Sequence, residues 1–191
     1  MEWTVRQKKA TKVAVIGLGV FGSSLAVALE QGGSEVLGID SDARKAKRLS
    51  HQINCAIADT TSEDALRSMD IATFDSVVVA IDTDFEGSVL TTAALKSLDV
   101  RQIICQSSTV HERDILLRVG ADQVVEPDYE AARRLAHELT VGERERLSLG
   151  QEQSVLKVQI PEHLAGYSLA ELDLEPSMDV TVLVIQRKDE S

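Results

Sequence analysis

Three glycines at fixed spacing are the first residues that could do chemistry: Gly17, Gly19 and Gly22, in the run Gly17-Leu18-Gly19-Val20-Phe21-Gly22. They stand where a short β-branched run, Lys12-Val13-Ala14-Val15-Ile16, gives way to a segment with Phe21, Leu25 and Leu29 four apart. That pattern is a strand ending and a helix beginning. There Gly17 permits a tight turn, Gly19 lets backbone approach a pyrophosphate, and Gly22 lets the helix pack close on the strand. The free N–H groups and partial positive charge of a helix start complete an anion cradle. Asp40 follows 18 residues after Gly22, closing a second apolar run, Glu35-Val36-Leu37-Gly38-Ile39. A carboxylate so placed accepts hydrogen bonds from a ribose and opposes a 2′-phosphate, which disfavours NADP.

Other polar residues follow later apolar runs. Asp59-Thr60 comes after Cys55-Ala56-Ile57-Ala58 and could read an adenine edge; Thr60 with Glu63 also has capping-box spacing, and the two roles are compatible. Asp82 and Asp84 come after Ser76-Val77-Val78-Val79-Ala80-Ile81, either to contact a ligand or to start the next helix. Ser41, Ala80, Ile81 and Gln106 complete the candidate set at the same ends of the strands. His51, His111 and His137 fall on predicted helices among polar neighbours, and His163 lies in the tail, so all four read as surface residues. No serine stands in a nucleophile elbow. Tyr129 is followed four residues later by Arg133, and Tyr167 by Glu171, so the Tyr-Lys pair of short-chain reductases is absent. Two-domain dehydrogenases also need a large substrate domain after the nucleotide fold. A small NAD-dependent oxidoreductase therefore stands as the alternative to a non-enzymatic nucleotide-binding module. A purely structural oligomerisation module is a third reading, which Asp40 opposes.

The elements that must position these residues alternate in one rhythm. Strand-like runs at 12–17, 35–39, 55–58, 76–81, 102–105 and 123–125 are separated by helix-period segments. Thr109 and Glu112 have capping-box spacing before the helix of Ile115, Leu116 and Val119. Such alternation predicts an α/β fold, a doubly wound, Rossmann-like parallel sheet with helices on both faces. After Pro127 the rhythm changes to one long helix over 128–146, with Ala131, Leu135 and Leu139 on one stripe. Beyond the polar boundary at 150–153, a strand (155–160), a short helix (168–172) and a strand (180–185) are expected. The predicted organisation is a nucleotide-binding lobe at 12–127, a crossover helix and linker at 128–150, and a short α+β C-terminal lobe at 151–191.

Composition narrows the partners. The 191 residues carry 31 acidic against 20 basic side chains, a net charge of −11, which would repel phosphate backbones and disfavours nucleic acid. Cys55 and Cys105 lie inside apolar runs without metal-ligand spacing, which fits a reducing compartment rather than a disulfide scaffold. The N-terminal segment is polar and basic and lacks the apolar core of a signal peptide. No stretch approaches the roughly 18 apolar residues of a membrane span. Direct membrane insertion is not expected, so any membrane association would run through a partner.

The ordered set Ile16-Gly17-Leu18-Gly19-Val20-Phe21-Gly22, Asp40, Ala58-Asp59-Thr60-Thr61, Leu90-Thr91-Thr92-Ala93 and Gly120-Ala121-Asp122-Gln123-Val124-Val125-Glu126-Pro127 resembles an RCK (KTN) domain. Such domains are cytosolic regulatory subunits of Trk and Ktr potassium-uptake systems and gating domains of potassium channels. The resemblance implies a cytoplasmic protein held at the inner face of the membrane by a membrane-embedded potassium transporter subunit. It implies binding of NAD(H), ATP, ADP or AMP, and homodimers assembling into a ring, an octamer. By position, Gly17, Gly19 and Gly22 would cradle phosphates, Asp40 would hold the ribose, and Asp59 with Thr60 would flank the adenine. Asp128 falls where some relatives carry an acidic residue for a divalent cation. Two departures bear on the ligand: Val20 and Gln106 stand where ATP-responsive relatives often have arginine and lysine. Without those cations a γ-phosphate loses charge compensation, which shifts the expectation toward NAD(H), ADP or AMP. The tail resembles about half of the family's usual C-terminal lobe.

Overall fold

The computed structural model describes residues 10–141, 146–148, 154–156, 166–172 and 181–184. The chain divides into two compact units, 1–135 and 136–191.

The first unit is built on a parallel sheet of six strands. They are β1 (Lys12–Ile16), β2 (Glu35–Asp40), β3 (Asn54–Ile57), β4 (Ser76–Val79), β5 (Ile103–Gln106) and β6 (Gln123–Val125). Their spatial order is β3-β2-β1-β4-β5-β6, so the chain reverses its direction of winding between β1 and β4. All five ladders are parallel, as the crossover helices require. Those helices are α1 (Val20–Gln31), α2 (Ala43–Leu49), α3 (Glu63–Ser68), α4 (Phe85–Ser97) and α5 (Val110–Val119).

Side-chain alternation along the central strands divides the core into two layers. Val13 and Val15 of β1 and Val78 of β4 face one way, with Ala26 of α1 and partly buried Phe21, Leu25, Leu29 and Leu49. Ala14, Ile16, Val77 and Val79 face the other way, against Leu66 of α3, Leu95 of α4 and Leu116 of α5. A strand buried on both faces must be apolar throughout, which is why β1 and β4 lack a polar alternation. The doubly wound sheet expected from the sequence is the one formed.

Several boundaries differ from expectation. The fourth strand was expected to run through Ile81 but ends at Val79. Ala80 still donates its N–H to the Ile16 carbonyl at 2.7 Å, and the chain then leaves the sheet. The long helix, α6, spans Pro127–Val141 and not 128–146. Arg146 belongs instead to β7 (Arg146–Ser148), which pairs antiparallel with β8 (Ser154–Leu156). The strand expected at 155–160 is β8 as far as Leu156, and 157–160 lie outside the described residues. The short helix near 168–172 is α7 (Leu169–Leu172), where Ser168 donates its N–H to Glu171 at 2.7 Å. Residues 181–184 have no ladder partner among the described residues, against the strand expected there.

Leu95 is fully buried in the layer shared by α4 and α5. Leu95→Ala is expected to lower stability by about 3 kcal/mol, through lost burial plus a residual cavity. Urea denaturation followed by circular dichroism should show a lower midpoint with an unchanged slope.

Candidate nucleotide site

The glycine loop lies at the carboxyl edge of the sheet, between the ends of β1 and β4, where open α/β sheets leave a crevice. Gly17 ends β1 at φ +91°, and a Cβ there would stand 2.4 Å from the carbonyl oxygen of Ala80. Both facts exclude a larger residue. At Gly22 a Cβ would stand 1.9 Å from the carbonyl oxygen of Gly17, so α1 reaches its place only because this residue has none. Gly19 is different. It has no positive φ, and a Cβ would make only an ordinary contact, 3.7 Å from Asp82 Oδ1. Nothing within the described chain requires a glycine at this position.

The loop is held from below by Leu18 and Asp40. The Leu18 side chain is 1% exposed and lies over Gly38 of β2, where a Cβ would come within 3.1 Å of Leu18 Cδ2. Its N–H donates to Asp40 Oδ2 at 2.7 Å, while Asp42 N–H donates to Asp40 Oδ1 at 2.8 Å. Lys45 Nζ of α2 completes the set at 3.3 Å from Asp40 Oδ2. The Asp40 side chain is 6% exposed. A carboxylate this buried is tolerated because two N–H groups and an ammonium replace its water.

Helix capping isolates α1 from its neighbours. α2, α3, α4 and α5 begin on Asp42, Ser62, Asp84 and Thr109, each of which accepts a hydrogen bond from the first turn. α1 begins on Gly19, with no side-chain cap and no acidic residue in its first turn. Its first N–H groups therefore face the crevice ready for an external acceptor, with the helix dipole behind them. Val20 beside them is 85% exposed and brings no charge.

The remaining candidates separate. The exposed Asp82 carboxylate is the one beside Gly19, whereas Asp84 caps α4 through Gly87 N–H at 2.9 Å. Exposed Asp59 accepts from the Thr61 hydroxyl at 2.7 Å and the Thr61 N–H at 3.0 Å, bonds that hold its carboxyl below the usual range. Thr60 does not cap α3, as its spacing to Glu63 suggested; Ser62 does, through Ala65 N–H at 3.4 Å. The Thr60 hydroxyl is buried 3.0 Å from that of Thr91 on α4, so only its backbone is left to flank a ligand. The Thr109 cap forms as expected, with Glu112 N–H at 3.2 Å. Ala80 and Gln106 are buried at the strand ends, Ile81 is half-buried and Ser41 is exposed.

Asp128 is exposed in the first turn of α6; among the described residues no group of three or more His, Cys, Asp or Glu could hold a metal ion. His51 and His111 are exposed, and the side chain of His137 and all of His163 lie outside the described residues. Cys105 is buried as expected and Cys55 only partly so. Burial pushes the Cys105 thiol up to about 11, so it is protonated and inert at neutral pH.

Lys45 is the site residue that sequence reasoning missed. It stands in the run Arg44-Lys45-Ala46-Lys47-Arg48, which reads as a solvated face; only its place five residues after Asp40 hinted at contact. A depression at the opposite, amino edge of the sheet is lined by Thr11, Asp75, Arg101 and Asp122. Its carboxylates are already engaged, Asp75 by Lys12 N–H and Arg101, and Asp122 by Ile103 N–H. At the glycine loop, by contrast, the start of α1 has no side-chain cap.

A six-stranded 3-2-1-4-5-6 sheet, a glycine loop at the switch point and an acid ending β2 define a Rossmann-like dinucleotide-fold domain. The chain belongs to the TrkA-N domain family, which matches residues 13–127. It is 35% identical over 182 residues to Ktr system potassium uptake protein C of Bacillus subtilis, covering 93% of this chain and 81% of that one. It is 31% identical over 180 residues to Ktr system potassium uptake protein A of the same organism, with the same shares covered. Among solved structures, the GsuK channel bound to NAD shares the fold at a TM-score of 0.63 and 17% identity, over 74% of this chain and 26% of that one. No helix among the described residues is long and apolar enough to cross a membrane.

The two inner glycines should respond differently to substitution. Gly22→Ala is expected to cost about 2–3 kcal/mol in urea denaturation, because backbone must move to admit the Cβ. Gly19→Ala is expected to cost no more than about 1 kcal/mol, the difference between glycine and alanine at an N-cap.

Proposed function

We propose that this chain is a non-enzymatic, nucleotide-sensing regulatory subunit of a potassium-uptake system, binding NAD(H) or an adenine nucleotide at the glycine loop. The observation that carries the reading is Gly19, a glycine without an internal cause at the one uncapped helix start among α1–α5. A ligand that must come within van der Waals distance of the backbone supplies the missing cause. The uncapped N–H groups would take its phosphates, Asp40 its ribose, and Asp59 with the Thr60 backbone would flank its base. The Ktr relatives, named for potassium uptake, support a membrane-embedded potassium transporter as partner. A peripheral place at the cytoplasmic face, reached through that partner, and a homodimer assembling into a ring belong to the same reading.

Absence of catalysis is part of the proposal. Among the described residues Asp82 is the one ionisable side chain beside Gly19, and Cys105 is closed to solvent and protonated. The site binds a charged ligand and offers it no well-placed proton donor. Its output would be a shift between assembly geometries, limited by the ligand's differential affinity for the two. Moving such an equilibrium from 1:99 to 99:1 takes about a 10⁴-fold preference. Uncharged Val20 and Gln106 favour NAD(H), ADP or AMP over ATP.

Calorimetric titration with NAD⁺, NADH, ATP, ADP and AMP tests the reading, repeated on Gly19→Ala and Asp40→Asn. Preferential binding of one ligand is expected, weakened about tenfold or more by Asp40→Asn and abolished by Gly19→Ala while the fold persists. Failure of all five ligands to bind the unmodified chain would remove the functional reading and leave the fold assignment standing.

A further inference from the structure

The carboxylate expected to hold a ribose is already three-quarters engaged, and by what is informative. An ionised carboxylate has about four lone-pair directions. Asp40 gives two on Oδ2 to Leu18 N–H and Lys45 Nζ, and one on Oδ1 to Asp42 N–H. Both backbone bonds are fixed by the fold, since they hold the glycine loop and the start of α2. One free acceptor direction is left, on Oδ1. A vicinal diol offering both its hydroxyl protons to Asp40 would therefore have to evict Lys45.

Lys45 need not leave, because an ammonium has three donors and only one is used on Asp40. Its side chain is 38% exposed, while that of Asp40 is 6% exposed, so of the two groups the ammonium is the one more open to solvent and to a ligand. A hydroxyl both donates and accepts. The pair thus presents one acceptor and two spare donors side by side, and this matches two neighbouring hydroxyls used in opposite senses. Arg44 of α2 does not compete for the place, because it is paired with Asp42.

We propose that Lys45 is a specificity-determining residue of the ribose subsite: Asp40 accepts from one hydroxyl of the vicinal diol while Lys45 donates to the other. The inference rests on the nucleotide-binding reading and adds the chemical class that the site selects, a nucleotide with both ribose hydroxyls free. Lys45 also holds Asp40 in place, so one residue couples the rotamer of the acceptor to recognition of the second hydroxyl.

The test is calorimetric titration of the full chain with ADP, 2′-deoxy-ADP and 3′-deoxy-ADP, on the unmodified protein and on Lys45→Met and Lys45→Arg. In the unmodified protein each missing hydroxyl is expected to weaken binding about tenfold. In Lys45→Met one of the two penalties should shrink to within about twofold and the other persist; Lys45→Arg should retain both. A merely structural role for Lys45 would weaken all three ligands equally and leave both penalties in place, which overturns the proposal. It is equally overturned if neither deoxy ligand binds the unmodified chain more weakly than ADP, a result that needs no variant to fold. Failure of ADP and the other nucleotides to bind at all would bring down the functional reading, whereas ADP binding with penalties indifferent to Lys45 would bring down this inference alone.

Discussion

The bond from Leu18 N–H to the Asp40 carboxylate is the constraint on which the site depends. It joins the turn after β1 to the end of β2 and fixes the glycine loop before any ligand arrives. Its geometry is possible because Leu18 sinks over Gly38 and because Gly17 can lie against the Ala80 carbonyl. One small residue in β2 and one positive φ at the end of β1 therefore set the height at which α1 begins. From that height follows the direction in which its first N–H groups point.

Hydrogen-bond accounting explains why those groups matter. A helix start leaves its first N–H groups without intrahelical partners. In α2 to α5 a side chain takes up part of that demand, by Asp42, Ser62, Asp84 and Thr109 in turn. In α1 the corresponding residue is Gly19, which has no side chain to offer. The fold is thus satisfied at four helix starts and left open at the one that lies over the switch point of the sheet. An anion supplied from outside would complete the pattern that the chain itself completes elsewhere.

The carboxylates at the carboxyl edge of the sheet differ in what they hold. Asp40 is tied to Lys45 and Asp59 to Thr61, while the exposed Asp82 carboxylate stands beside Gly19. α4, which borders the crevice, packs on a buried polar layer in which Thr91 meets Thr60 and Thr92 meets Cys105. The buried hydroxyls of Ser88 and Ser107 have no hydrogen-bond partner among the described residues.

The sheet, its winding and the loop after β1 were legible from the chain alone, because they rest on local rules. β-branched runs such as Val77-Val78-Val79 fit only a strand buried on both faces, and glycines at 17, 19 and 22 mark a strand-to-helix turn. Asp40 was legible for the same reason, since its place is set by where a strand ends. What the sequence left open was decided by contacts between residues far apart in the chain. Asp82 and Asp84 look alike in sequence, yet one faces Gly19 and the other caps α4, because that choice depends on how β4 lies against β1. Thr60 and Ser62 could each start α3; the hydroxyl of Thr91, 31 residues on, draws Thr60 inward and leaves the cap to Ser62. Arg146, expected at the end of a helix, belongs to β7 because ladder pairing with β8 overrides local propensity. Lys45 is one of four bases in the run 44–48, and only the fold singles it out by bringing its ammonium to Asp40. Periodicity and spacing record what each segment does by itself, whereas a side chain's partner is fixed only when separate segments are packed together.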